Sequence, residues 1–140
     1  MINWGIIGCG DVAEVKSGPA FQKTVNSELL GVMRRNREKA KDFALRHQVP
    51  ISTDKAEELL CHDEINSIYI ATPPSTHLDY ALEALAAGKN VYLEKPMTLT
   101  SIEAEKIVKA VKKSKGKLTV AHYRRELPAF KKVKKSKLSF

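Results

Sequence analysis

Ile2-Asn3-Trp4-Gly5-Ile6-Ile7-Gly8-Cys9-Gly10-Asp11-Val12-Ala13 opens with an apolar run, breaks at two glycines and resumes in a helical pattern. The run predicts a buried strand, and the pattern from about Val12 predicts a helix. Between them lies G-x-G-x-x-A. Gly8 permits a tight turn, Gly10 leaves the backbone open to a diphosphate, and Ala13 is small enough for close helix–strand packing. The helix N-terminus adds N–H groups aimed at the same place. A lone glycine pattern is weak evidence, and a plain structural turn is its alternative. Placed directly after a strand and before a helix, the pattern takes the form that binds dinucleotides. Gly8, Cys9, Gly10, Asp11 and Val12 are therefore candidate cofactor contacts. Asp11 is expected to cap or stabilise the helix end, and Cys9 to be a small, partly buried neighbour rather than a reactive thiol.

Outward from this turn, apolar runs alternate with helical patterns, which predicts βαβ units and a mainly parallel sheet. Further strands are expected at 28–33, 49–51, 67–71, 91–93 and 118–121. Asn36 predicts the N-cap of a helix burying Ala40, Phe43 and Ala44, and Asp54 with Glu57 predicts a short helix through Leu59 and Leu60. Thr72-Pro73-Pro74 ends the fourth strand, since proline donates no ladder hydrogen bond. A helix carrying Leu78, Ala81, Leu82 and Leu85 follows and stops at Gly88. Thr100 with Glu103 spells a capping box for the next helix, which ends near Gly116. Six strands with five connections are the full count for an α/β, doubly wound, mainly parallel Rossmann sheet over residues 1–127. Residues 128–140 are expected to be a basic C-terminal tail, frayed or truncated.

Composition bounds the alternatives. The chain has 140 residues, 43% hydrophobic and 29% charged, ordinary for one globular domain. No apolar run reaches the roughly 20 residues of a membrane span, and the first residues lack the pattern of a secretory signal, so the cytoplasm is the expected address. Cys9 and Cys61 stand far apart and His47, His62, His77 and His122 are scattered, so neither a disulfide framework nor a metal site is expected. The net charge of +8 is concentrated at one end. Residues 131–140 carry five lysines and no acid, leaving 19 basic against 16 acidic residues elsewhere. A solvated charge run explains that better than nucleic-acid binding, for which no aromatic stacking platform is evident.

In open α/β sheets the ligand lies beyond the carboxyl ends of the strands, where strand order reverses. Those ends carry the glycine turn, Ala71-Thr72-Pro73, Glu94-Lys95-Pro96 and His122-Tyr123-Arg124. After the second strand stand Arg34 and Arg35, with no carboxylate until Glu38. A guanidinium fork suits a 2′-phosphate, which predicts NADP in preference to NAD, although NAD remains open; the bland alternative is two solvated arginines. Lys95 is the candidate catalytic group, a cation able to stabilise a developing alkoxide, with Glu94 orienting it or balancing its charge. Its alternative is a surface lysine after a strand. His77 is expected to face the same crevice, as a ligand contact or an exposed histidine of a first helical turn. Tyr123 and Arg124 reach nicotinamide or substrate, or only pack.

The G-C-G-D-V-A turn, the A-T-P-P strand end, H-L-D-Y-A-L-E-A-L-A-A-G-K and above all E-K-P-M (residues 94–97) resemble the Gfo/Idh/MocA oxidoreductases, over about residues 1–133. The resemblance implies NAD(P)-dependent hydride transfer on sugars, polyols or related carbonyl compounds. It gives Lys95 the role of the family's active-site lysine, and Gly8, Gly10, Thr72, Pro73 and Glu94 cofactor-site roles. It also implies a second domain that walls the substrate and supplies a catalytic histidine. The chain is expected to stop where that domain begins, as a truncated product or fragment, active only if the domain is supplied. The other reading is a cofactor-binding module without turnover. The faces that a second domain would cover predict self-association.

Overall fold

The computed structural model describes residues 1–122 and 126–135. Strands β1 (Ile2–Ile7), β2 (Ser27–Met33), β3 (Ile51–Thr53), β4 (Ser67–Ile70), β5 (Asn90–Leu93) and β6 (Leu118–Val120) form one parallel sheet in the order β3-β2-β1-β4-β5-β6. Strand order reverses between β1 and β4, so the C-terminal ends of these two strands flank a crevice. All four residues of β4 are buried, as a central strand covered on both faces requires.

Helices α1 (Gly18–Lys23) and α2 (Arg37–Arg46) pack on one face, where Ile6, Leu29, Val32, Phe43 and Tyr69 build a core. Helices α3 (Ala56–Leu60), α4 (His77–Ala86) and α5 (Ser101–Lys113) cover the other, around Ile7, Leu59, Ile65, Ile70, Leu93 and Ile107. Asn36 caps α2 by accepting from the Lys39 N–H at 2.9 Å, and Thr100 with Glu103 forms both bonds of the capping box on α5. Helix α6 (Pro128–Lys135) occupies positions expected as tail, with Pro128 at its first turn.

Three local expectations are corrected. The third strand lies two residues later than 49–51, because Val49 is drawn into the core and its N–H is bonded to Ala44 behind α2. Asp54 does not cap α3. Lys55 holds the cap position and its N–H donates to the Thr53 hydroxyl at 3.0 Å, so a threonine closes that turn. The first helix is not regular either. Residues Ala13–Ser17 form a π-helical turn, with Gly18 N–H donating to the Ala13 carbonyl five residues back. Pro19 explains it: proline supplies no N–H to the carbonyl of Val15, and its ring crowds that carbonyl, so the preceding turn widens.

Candidate functional site

The glycine turn sits where β1 hands over to this helix. Gly8 adopts φ +95°, a conformation natural to glycine, and a Cβ there would stand 2.9 Å from the backbone of Ala71 and Thr72. A Cβ on Gly10, by contrast, would meet nothing within 4 Å. The N–H groups of Gly8 and Cys9 are turned onto the Met33 carbonyl at 2.9 and 3.2 Å, and that of Gly10 onto Gly8 at 2.8 Å. Gly10 therefore offers room rather than donors: an open cradle that a side chain would fill. The helix start, where Asp11 and Val12 lie exposed, is where donors for a diphosphate would come from. Asp11 can complement the helix end by charge, and no side-chain cap bond is made where the π turn begins.

Cys9 is only 1% exposed, its side chain in the core beneath the turn. Burial pushes its thiol up to about 11, against a smaller opposing pull from Arg34, so at neutral pH it is an unreactive thiol. Any contact it makes with a ligand runs through its backbone.

On one side of the turn lies a cavity of about 390 Å³, bounded by Gly8 and Gly10, by Arg34 and Arg35, and by Ala71, Thr72 and Pro73. Half-buried Arg34 reaches back over the turn, its Nη1 3.4 Å from the Cys9 carbonyl, while Arg35 is exposed. Five further residues line this space that were not expected there: Met33, Asn36, Lys39, Thr76 and Tyr80. The signal that could have found Lys39 is its place one turn beyond the Asn36 cap. Thr76 donates to the Thr72 hydroxyl at 2.8 Å, which stiffens the strand end.

On the other side a cavity of about 470 Å³ is lined by Val12, Ser17, Glu94, Lys95 and Ala121. Lys95 is exposed at its rim, followed by a cis bond to Pro96. The Glu94 carboxylate accepts from the Tyr69 hydroxyl at 2.7 Å and from the Lys95 N–H at 3.2 Å. Tyr69 in turn accepts from the Ser17 hydroxyl at 2.9 Å. Neither Ser17 nor Tyr69 was evident from spacing; the signal was a tyrosine between two isoleucines of the central strand.

His77 corrects the expectation that it faces the crevice. Its side chain is fully buried, with Nδ1 2.9 Å from the Pro96 carbonyl and Nε2 2.8 Å from the Thr72 carbonyl. The ring lies beneath the two loops that carry candidate contacts, because the first turn of α4 points inward under both. Tyr123 and Arg124 lie outside the described residues.

The turn, the cradle and the flanking cavities fit a dinucleotide, and comparison with known proteins agrees. The family model for the Gfo/Idh/MocA group, described as an oxidoreductase family with an NAD-binding Rossmann fold, matches residues 2–122. Oxidoreductase P35 of Formosa agariphila is 65% identical over 133 residues, which cover 95% of this chain and 41% of that protein. A dTDP-3,4-didehydro-2,6-dideoxy-alpha-D-glucose 3-reductase of Actinomadura kijaniata is 32% identical over 87% of this chain and 36% of its own length. A crystal structure of a 3-ketoreductase from the same organism, in complex with NADP, superposes with a TM-score of 0.89 at 27% identity, covering 96% of this chain and 43% of that one. The chain thus spans about two-fifths of the relatives it matches. It belongs to the Gfo/Idh/MocA oxidoreductases and carries their NAD-binding Rossmann fold.

Proposed function

We propose that this chain is the cofactor-binding part of an NADP-preferring oxidoreductase acting on a sugar, polyol or related carbonyl compound. The observation that carries this is the juxtaposition at the strand ends. An open cradle at Gly10 lies between a cavity edged by Arg34, Arg35 and Lys39 and a cavity edged by Lys95. The adenosine half belongs in the first cavity, where Arg34 and Arg35 offer guanidinium groups to a 2′-phosphate and Lys39 adds a point charge. The nicotinamide half belongs in the second and supplies the hydride acceptor or donor. There the Lys95 ammonium stabilises charge on the substrate oxygen, with Glu94 holding the backbone that presents it. NADP bound to the Actinomadura reductase supports the cofactor, and the sugar nucleotide named for its relative supports the substrate class.

Calorimetry with NADPH and NADH tests the cofactor: tighter NADPH binding is expected, and equal or tighter NADH binding defeats the preference. NADPH oxidation with a panel of sugars, in the presence of whatever chain completes the site, tests the activity. Persistent binding without turnover assigns the chain as a binding module instead. Two features of the whole chain complete the proposal. Both described cysteines are free thiols, in keeping with a reducing compartment such as the cytoplasm. The partly buried aromatic shelf of Trp4, Phe21 and Tyr92 beside the second cavity favours self-association.

A further inference from the structure

Tyr69 occupies the middle of the sheet, on β4, and its residue surface is fully buried. Its ring lies among Ile6, Cys9, Ala13 and Val32, with the Phe21 ring at 5.4 Å edge-on and the Tyr92 ring at 5.5 Å. Packing alone would be served by phenylalanine. A phenol hydroxyl in such surroundings costs free energy unless both its donor and its acceptor capacity are used. Here they are, and in a fixed direction. An ionised carboxylate only accepts, so the Tyr69 hydroxyl donates to Glu94 Oε1 at 2.7 Å and accepts from Ser17 Oγ at 2.9 Å. The second carboxylate oxygen of Glu94 accepts the Lys95 N–H at 3.2 Å. Burial, foremost, holds the Tyr69 phenol well above the usual tyrosine range, so it remains a donor throughout the working pH range.

We infer that Tyr69 is a positioning residue: its hydroxyl holds the Glu94 carboxylate, and through Glu94 the backbone of Lys95, in register with the helix that follows the glycine turn. The line runs Ser17 to Tyr69 to Glu94 to Lys95. Its first member stands at the end of the π-helical turn Ala13–Ser17. The helix that meets the diphosphate and the loop that presents the ammonium are thereby fixed to one buried hydroxyl. The inference rests on the proposed role of Lys95, and its test uses the chain without cofactor so that the two stand or fall separately.

The test reads the Lys95 amine in the full chain. Lysines are reductively methylated with ¹³C for NMR, with Lys95 assigned by Lys95→Arg, and the Lys95 acylation rate is measured by mass spectrometry. Tyr69→Phe keeps the ring and removes the hydroxyl. It is expected to move the Lys95 resonance and to change its acylation rate about threefold or more, as is Glu94→Gln. The double variant should go no further than either single one, since both cut one line. Ile68→Val, a loosened core residue on the same strand, should leave the Lys95 signals in place. Ser17→Ala removes the far donor and should shift Lys95 in the same direction by less, which keeps the test usable should Tyr69→Phe fold poorly. Lys95 signals in Tyr69→Phe that coincide with those of Ile68→Val overturn the inference, and so do effects of Tyr69→Phe and Glu94→Gln that add. NADPH calorimetry on the unaltered chain judges the cofactor proposal independently.

Discussion

Gly8 and Gly10 are two positions apart, and their surroundings demand opposite outcomes from the same substitution. Gly10→Ala enters open space, so the chain should melt at an unchanged temperature while NADPH affinity falls about tenfold or more, the equivalent of about 1.4 kcal/mol. Gly8→Ala must adopt φ +95° and meet the Ala71–Thr72 backbone, so it should lose about 1–3 kcal/mol of stability before any ligand is considered. Thermal melts paired with fluorescence titration separate the two. At the second strand end, Arg34→Ala should weaken NADPH binding by about 10–100-fold and NADH binding far less, if one charge-assisted contact to the 2′-phosphate is lost. Cys9 supplies a pH test. With its thiol raised to about 11, the folded chain keeps a proton that the unfolded chain releases near its ordinary 9.0. That contribution to stability is complete below about pH 9 and declines as pH rises toward 11. In native protein a thiol reagent at pH 8 should label exposed Cys61 and spare Cys9, which should react only on unfolding. The glycine turn and the strand-end placement of Lys95 were legible because they depend on local backbone and strand position. The burial of His77 was not, because which way a first helical turn faces depends on loops distant in sequence.

Elements were legible where a short-range signal sets their ends. Asn36 and Thr100 cap the helices their spacing predicts, since the cap bond spans three residues and needs nothing from elsewhere. Thr100→Ala should cost about 1 kcal/mol, readable in a urea melt, because it leaves a first-turn N–H of α5 without its side-chain acceptor. Asp54 misled for the opposite reason: the Thr53 hydroxyl closes the turn on the Lys55 N–H, the helix starts one residue later, and the cap position falls to Lys55. The π turn was signalled only by Pro19. That turn also carries Glu14, which pairs with Arg46 and His47 at the end of α2 and ties two neighbouring helices together. The Arg46 guanidinium, foremost, holds the Glu14 carboxyl down at about 2. Its stabilising contribution is present above the ordinary carboxylate value of 4.5 and is lost as pH falls toward 2. Glu14→Gln should flatten the acid limb of a stability–pH profile over that interval, and an unchanged slope would count against the pairing.

At the scale of the whole molecule, the strand order β3-β2-β1-β4-β5-β6 makes the site: it brings the ends of β1, β4 and β5, far apart in sequence, to one edge. Alternating apolar runs and helical patterns were enough to expect this, because parallel neighbours need right-handed crossovers and few arrangements satisfy them. Surface coverage was less legible. Around the shelf of Trp4, Phe21 and Tyr92, Thr119 remains exposed and a space of about 550 Å³ opens beside Ser67 and Tyr92. Light scattering should therefore show an average mass that rises with concentration, and a strictly monomeric solution at high concentration would argue against self-association.

One buried ring ties the two walls of the crevice together. His77 stands between the Thr72 carbonyl, on the wall of the cavity edged by Arg34, and the Pro96 carbonyl, in the loop that carries Lys95. Both ring nitrogens face carbonyl oxygens, so the one ring spans the two loops. The strand end that walls one cavity and the loop that edges the other thus lean on a single buried side chain, and a substitution there would loosen both at once.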